Sequence, residues 1–369
     1  MRDLAKLPKA HLHLHFTGAM RPDTMIELAK ERGVRLPSHL LENDPLTVPA
    51  NARGWFRFQR SYDAARSLVR SESAMRRIIR EAAEDDAAEG SVRLEIQVDP
   101  TSYAPWVGGL TPALEIVMDQ ARRSTQETGV EVAVIVAASR MKHPLDARTL
   151  ARLASQYAGD QPGEIVGFGL SNDETAGDTS QFSAAFRIAR RAGLAGVPHG
   201  GELLGPEHVR EVVAHLKPAR LGHGVRTSED PALLARLIEA GIAFEVCPTS
   251  NVSLGVFQNL EDVPLRKMAK AGATIALGAD DPLLFRSRLL DQYEYARSVG
   301  FNDRQLAGLA RDSIEASLAS PANKQRWKRQ IDLWLESEDA AALDQPARAT
   351  QPAHATQPAQ PSQSEGPRG

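Results

Sequence analysis

The stretch Ala10-His11-Leu12-His13-Leu14-His15-Phe16-Thr17-Gly18 decides the fold. It alternates imidazole with apolar side chains over the length of a strand. Side chains two apart on a strand share a face, so His11, His13 and His15 are expected to point together into an interior. An open, doubly wound sheet would follow its first strand with a Gly-rich phosphate loop. Here the strand runs directly into Thr17-Gly18, and that fold loses its main signature.

Seven further apolar runs follow. They are VRLEIQVD from Val92, EVAVIVAAS from Glu131, IVGFGLS from Ile165, GVPHGGE from Gly196, RLGHGV from Arg220, AFEVCPTS from Ala243 and TIALGAD from Thr274. Several are β-branched and apolar over most of their length, as buried parallel strands should be. Helical patterns lie between them, such as ALLARLIEAG (232–241) and LRKMAKAG (265–272). Each of those two ends in a glycine, where a left-handed cap is expected. Eight strands with helical crossovers predict an α/β fold, a (β/α)8 TIM barrel. Residues 40–80 are long for one connection and carry Trp55, Phe56, Phe58 and Tyr62. They are read as an inserted helical lid, with Trp55 and Phe58 among the substrate-contacting residues.

Composition narrows the function. The chain has 369 residues and a formal net charge of -3, with both signs mixed along it, so no basic footprint for nucleic acid is present. Aromatic residues make up 5%, which argues against stacking platforms for single-stranded polymers. The one cysteine, Cys247, excludes an intramolecular disulfide and a Cys-rich zinc site. No apolar run is long enough for a membrane span. The expectation is a cytoplasmic protein with a small-molecule substrate, no nucleic-acid partner and no membrane. Residues 1–336 are read as one metal-dependent barrel domain. Residues 337–369, rich in Pro, Gln and Ala, are read as a disordered tail.

Barrel enzymes place their chemistry at strand C-termini. Imidazoles on one interior face are costly to bury without a ligand, so His13 and His15 are read as metal ligands and His11 as a deeper, supporting residue. PHGGE places His199 three residues before Glu202, a spacing that suits a ligand beside a general acid/base, with glycines such as Gly201 admitting substrate to the backbone. His223, between two glycines, offers an accessible imidazole. In GADDP, Asp280 and Asp281 repel each other unless a cation or a proton relieves them. Asp280 then completes a set of three imidazoles and one carboxylate with His13, His15 and His199. N/O ligation of this kind suits zinc, one per subunit, with Fe, Mn or Co as substitutes.

PKAHLHLHFTGAMRP, HGGE, RLGHG, CPTSN and LGADDP, in this order, resemble the adenosine deaminase family of the amidohydrolase superfamily over residues 7–319. The resemblance implies zinc held by His13, His15, His199 and Asp280, and hydrolytic deamination at C6 of a purine nucleoside. It implies catalytic roles for Glu202 in protonating N1, for His223 in orienting or deprotonating the water, and for Asp281 in hydrogen bonding N7. His15, Thr17, Asn172 and Gly201 fall at substrate-binding positions. Two departures bear on the substrate. Thr17 replaces the usual aspartate that meets the ribose 5'-hydroxyl, which would leave room for a 5' substituent. Asn172 replaces a glycine whose N–H meets N3. Adenosine or 2'-deoxyadenosine comes first, then a 5'-modified adenosine such as aminodeoxyfutalosine or methylthioadenosine, then adenine or an N6-substituted nucleotide. A silent nucleoside-binding barrel would be free to lose Glu202, His223 and Asp281, and all three are present. A two-metal amidase would want a bridging lysine at the end of IVGFGLS, where none stands.

Overall fold

A computed structural model of the chain describes residues 1–337 and Gly366, so the expected tail lies, apart from Ser337 and that glycine, outside the described residues. Eight parallel strands follow one another around a single sheet: β1 (Lys9–His15), β2 (Ser91–Val98), β3 (Glu131–Ser139), β4 (Ile165–Ser171), β5 (Ala195–Gly200), β6 (Arg220–His223), β7 (Ala243–Val246) and β8 (Ile275–Leu277). A parallel bridge between Leu14 and Asp280 closes the ring from just beyond β8 back to β1. The architecture is a (β/α)8 barrel, as the apolar runs indicate. The last three strands are shorter than their runs. β7 stops because Cys247 leads into the helix Pro248–Ser253; β8 ends at Leu277, and three residues on, Asp280 takes a φ of +62°.

The crossover helices bury their apolar stripes against the outside of the sheet. Phe168 of β4 meets Phe186 of the helix Ser183–Arg191 edge to face, with ring centroids 5.2 Å apart. The two helices ending near Gly241 and Gly272 do terminate in left-handed glycines, with φ of +72° and +87°. Inside the barrel floor, Ala133, Ile135, Val166 and Val197 form an apolar cluster of their own, with Leu318 packed against it.

Two expectations need correction. Of the 40–80 insertion, the helix Ala52–Arg66 and the segment before it lie over the barrel mouth: Leu46 N–H donates to the Leu284 carbonyl at 2.9 Å, Val48 N–H donates to that of Ser253 at 2.8 Å, and Phe58 stacks on Phe285 at 5.7 Å. The next helix, Glu72–Ala88, is an ordinary crossover packed on β2 and on the helix Leu110–Thr128. Phe56 points to solvent. The second correction concerns His11. The β1–β2 register slips between His11 and Leu14, where β1 spends one residue more than β2. Such a bulge breaks the two-residue alternation. His11 therefore turns away from His13: its Nδ1 lies 2.9 Å from Asp86 of the crossover helix, and its Nε2 accepts the Ala279 N–H at 3.1 Å.

Removing a buried aromatic costs its transfer free energy plus that of the cavity left behind. Phe168→Ala is expected to lose about 3–5 kcal/mol of stability, read from the shift of the guanidinium unfolding midpoint. An unchanged midpoint would contradict the packing described.

Candidate active site

The barrel closure itself brings the first groups together. His15 N–H donates to the Asp280 carbonyl, and Asp280 N–H donates to the His13 carbonyl, each at 3.0 Å. The side chains follow the backbone: His15 Nε2 lies 3.1 Å and His13 Nε2 3.4 Å from Asp280 Oδ1. His199, at the end of β5, completes the approach, with its ring centroid 4.9 Å from that of His13 and 5.2 Å from that of His15. His223, at the end of β6, stands 4.7 Å from His13 and 4.9 Å from His199. These rings leave little space. A Cβ on Gly222 would sit 2.7 Å from His199 Cδ2 and 3.0 Å from His13 Cε1, so a side chain there would displace two imidazoles.

The carboxyl groups stand against this cluster. Glu202 Oε1 lies 3.6 Å from His223 Nε2. Asp281 backs onto the β1 loop, where a Cβ on Gly18 would fall 1.9 Å from Asp281 Oδ1. Asp280, Asp281 and Glu202 are all buried. Burial, followed by the charges of Asp280 and Glu174, pushes Glu202 well above the usual carboxylate range. Burial and Asp280 do the same to Asp281. Asp280 goes the other way: burial opposes it, but the imidazoles of His13 and His15 at its carboxylate hold it well below the usual range. Burial, reinforced by the neighbouring imidazoles, keeps His199 well below the usual histidine range, and burial takes His223 down to about 4. His13 is the exception. Burial opposes its protonation, yet bonding to Asp280 and Glu245 carries it up to about 10.

Three site residues hold positive φ without being glycine: Asn172 at +79°, His223 at +62° and Asp280 at +62°. Such conformations cost on the order of 1–3 kcal/mol and cluster where function constrains the backbone. Asn is among the residues that tolerate this region best.

The cluster opens into a cleft of about 690 Å³, counting its mouth. Trp55, Phe58 and Tyr62 of the mouth helix form one wall, and Asn172, His199, Glu202 and Asp281 lie along it. Two residues expected to contact substrate are placed elsewhere. Thr17 is fully buried, and its hydroxyl shares a 2.6 Å hydrogen bond with that of Tyr103; Tyr103, not Thr17, faces the cleft. Gly201 is not among the residues that line the cleft, and a Cβ there would point away to Val209 and Gly224.

Several neighbours escaped the sequence reading. Glu245 accepts from His13 Nδ1 at 2.7 Å, and Ser250 donates to Asp280 Oδ2 at 2.6 Å. Glu174 accepts the backbone N–H groups of Glu202, Leu203 and Leu204 at 3.2, 2.7 and 2.8 Å, fixing the loop that bears Glu202. A charged Glu245 in the middle of the apolar run AFEV was the available signal. Tyr103 carried none.

The donor set fits a divalent cation. His13, His15 and Asp280 offer ligand atoms within 4.8 Å of one another, as do His13, His199 and His223. Among the described residues, the Nε2 atoms of His13, His199 and His223 are buried without a hydrogen-bond partner. His199 and His223 are held neutral, and at His13 a metal ion would take the place of the proton that Asp280 and Glu245 favour; imidazole nitrogens beside a carboxylate are the groups that zinc takes.

A family model described as adenosine deaminase matches residues 8–334. A Streptomyces virginiae protein described as a putative adenosine/adenine deaminase is 57% identical over 336 residues, covering 90% of this chain and 98% of its own. Among solved structures, an adenine deaminase from Arthrobacter aurescens superposes with a TM-score of 0.81 at 29% identity, covering 89% of this chain and 99% of its own. An amidohydrolase from Burkholderia ambifaria with bound Zn superposes with a TM-score of 0.77 at 25% identity, covering 90% and 93%.

The wild-type chain is expected to carry about one divalent ion. His13→Ala should lower that occupancy several-fold, as read by elemental analysis of the purified, folded protein. Full occupancy in the variant would contradict the arrangement of donors.

Proposed function

The chain belongs to the adenosine deaminase family, and from that premise we propose that it deaminates a 6-aminopurine by hydrolysis, with zinc as its metal and adenosine-type nucleosides as its substrates. One observation carries the reading. Five buried polar atoms of a single cluster lack a hydrogen-bond partner among the described residues: Nε2 of His13, His199 and His223, Glu202 Oε2 and Asp281 Oδ1. Buried polar atoms are rarely left unpaired. Here the nitrogens suit a cation, and the carboxyl oxygens suit a ligand with hydrogen-bonding edges.

His13, His15, His199 and Asp280 would hold the ion. Bound there, it would supply a nucleophile at neutral pH by lowering the pKa of a coordinated water. The carboxyl groups match a purine. Its ring nitrogens N1, N3 and N7 are acceptors, so the protein must present donors. Glu202, pushed towards its protonated form, donates to N1 and draws electron density from C6. Asp281, raised likewise, donates to N7. Asn172, in its left-handed turn, offers a backbone N–H to N3. His223, kept neutral, takes a proton from the attacking water. The water's oxygen ends on C6; of its two protons, one leaves with the ammonia and the other restores Glu202 after N1 has been protonated.

Beyond the cluster, Gln59, Arg66, Asp99, Ser102 and Ser139 also line the cleft. They offer polar partners to a sugar, which favours a nucleoside. A second reading, free adenine, is favoured by Thr17. Its hydroxyl is taken up by Tyr103, so neither a carboxylate nor an opening awaits a 5'-hydroxyl at that position. The same contact argues against a bulky 5' extension.

Loss of the 6-aminopurine absorbance band, compared between adenosine, 2'-deoxyadenosine and adenine, separates the two. A kcat/KM for adenosine at least about tenfold above that for adenine is expected, equivalent to about 1.4 kcal/mol of transition-state binding. The reverse ratio would transfer the assignment to the free base, and no turnover of any of them by zinc-loaded protein would overturn the reading. Glu202→Gln should retain zinc while kcat falls by about 10²–10⁴-fold. Near-normal kcat in that variant would remove Glu202 from the chemistry.

A further inference from the structure

A chain of buried ions leads away from the cluster, and none of the proposed chemistry uses it. Glu245 of β7 accepts from His13 Nδ1 at 2.7 Å with one oxygen and from Arg220 Nε at 2.6 Å with the other. Arg220, on β6, donates through Nη2 to Glu95 of β2 at 2.7 Å. Glu95 then accepts from Arg93 Nε at 3.1 Å. Arg93 donates to Glu131 of β3, and Glu131 accepts from the Asn323 side-chain amide. The line crosses the barrel between strands that are not neighbours, so it runs through the interior. Its far half is tied to the segment that follows the last crossover helix. Arg220 Nη1 donates to the Ala316 carbonyl at 2.9 Å, and the Leu318 N–H donates to Glu95 at 2.6 Å.

Ions in such a place need a reason. Arg93, Glu95, Arg220 and Glu245 are at most 1% exposed, and well-packed apolar residues of similar volume often hold a core as firmly as buried ion pairs do. The other side of this same floor is filled that way, by Ala133, Ile135, Val166 and Val197. What the ions provide and aliphatic side chains could not is a fixed acceptor for His13 Nδ1–H. With that hydrogen engaged, the tautomer is set and Nε2 is left bare on the side of the cluster.

We infer that Arg220 is a positioning residue for the metal centre. Acting through Glu245, it fixes the tautomer and orientation of His13, and residues 316–318 hold Arg220 and Glu95 in place from below. The inference rests on the metal site proposed above. A flexible lysine keeps the charge but cannot reach Glu245, Glu95 and the Ala316 carbonyl with one planar fork. Glu245→Gln keeps the shape while turning an amide donor towards either His13 or Arg220.

The test is the zinc dissociation constant of the metal-free full chain, measured by competition with a chromophoric chelator. Arg220→Lys and Glu245→Gln should each bind zinc about 10–100-fold more weakly than wild type. Ile331→Ala, a buried apolar truncation in the helix Pro321–Glu336, should lower Tm and leave zinc affinity within about twofold. If Arg220→Lys does not fold, Glu245→Gln reads the same link. Zinc affinity within twofold of wild type in either folded ladder variant would overturn the inference, as would equal weakening in Ile331→Ala. Failure of wild type to bind zinc at all would instead defeat the metal site on which it rests.

Discussion

Two backbone hydrogen bonds, His15 N–H to the Asp280 carbonyl and Asp280 N–H to that of His13, join the first strand to the turn after the last. A barrel has to close somewhere, and here it closes through residues that carry the site. His13 and His15 come from one side of the seam and Asp280 from the other, so the donors cannot separate without opening the sheet. Positive φ at Asp280, close packing of Gly18 on Asp281, and a bulge in β1 are the local adjustments that this geometry demands. Placing a rigid cluster on strand ends, with support from the layer beneath, is what holds side chains within the tolerance that chemistry requires.

Electrostatics acts on the same spot. Asp280, Asp281 and Glu202 cannot all remain ionised when buried together. Their environments part them: the adjacent imidazoles keep Asp280 a carboxylate, while burial and its neighbouring charge push the other two towards the acid form. Carboxyl groups with divergent proton affinities are the usual basis for assigning donor and acceptor roles. Beneath them, the line from Glu245 to Glu131 extends the polar interior to the barrel floor, where Asn323 of the helix Pro321–Glu336 meets its last carboxylate.

Much of this was legible in the chain before any coordinates. Runs dominated by apolar residues locate all eight strands because most positions of a buried parallel strand face either the barrel interior or the covering helices. The residues His13, His15, His199, Glu202, His223, Asp280 and Asp281 stand out because each interrupts or ends such a run with a group that is expensive to bury. What resisted reading depends on pairing between distant strands. The supporting role of His11 was legible, but it was placed on the same face as His13 because strict alternation was assumed, and a bulge is invisible without the partner's register. Tyr103 lies in an irregular segment and gains its meaning only by meeting Thr17, 86 residues away. Arg220 and Glu95 are 125 residues apart, and nothing in either run announces the other.

The claim on which the rest depends is that the closing seam is a metal site. Anomalous scattering from a crystal of zinc-loaded protein, recorded on both sides of the zinc absorption edge, tests it most directly. A single strong peak among His13, His15, His199 and Asp280 is the predicted result. A zinc peak elsewhere in the molecule, or none at that seam in protein that binds zinc in solution, would contradict it.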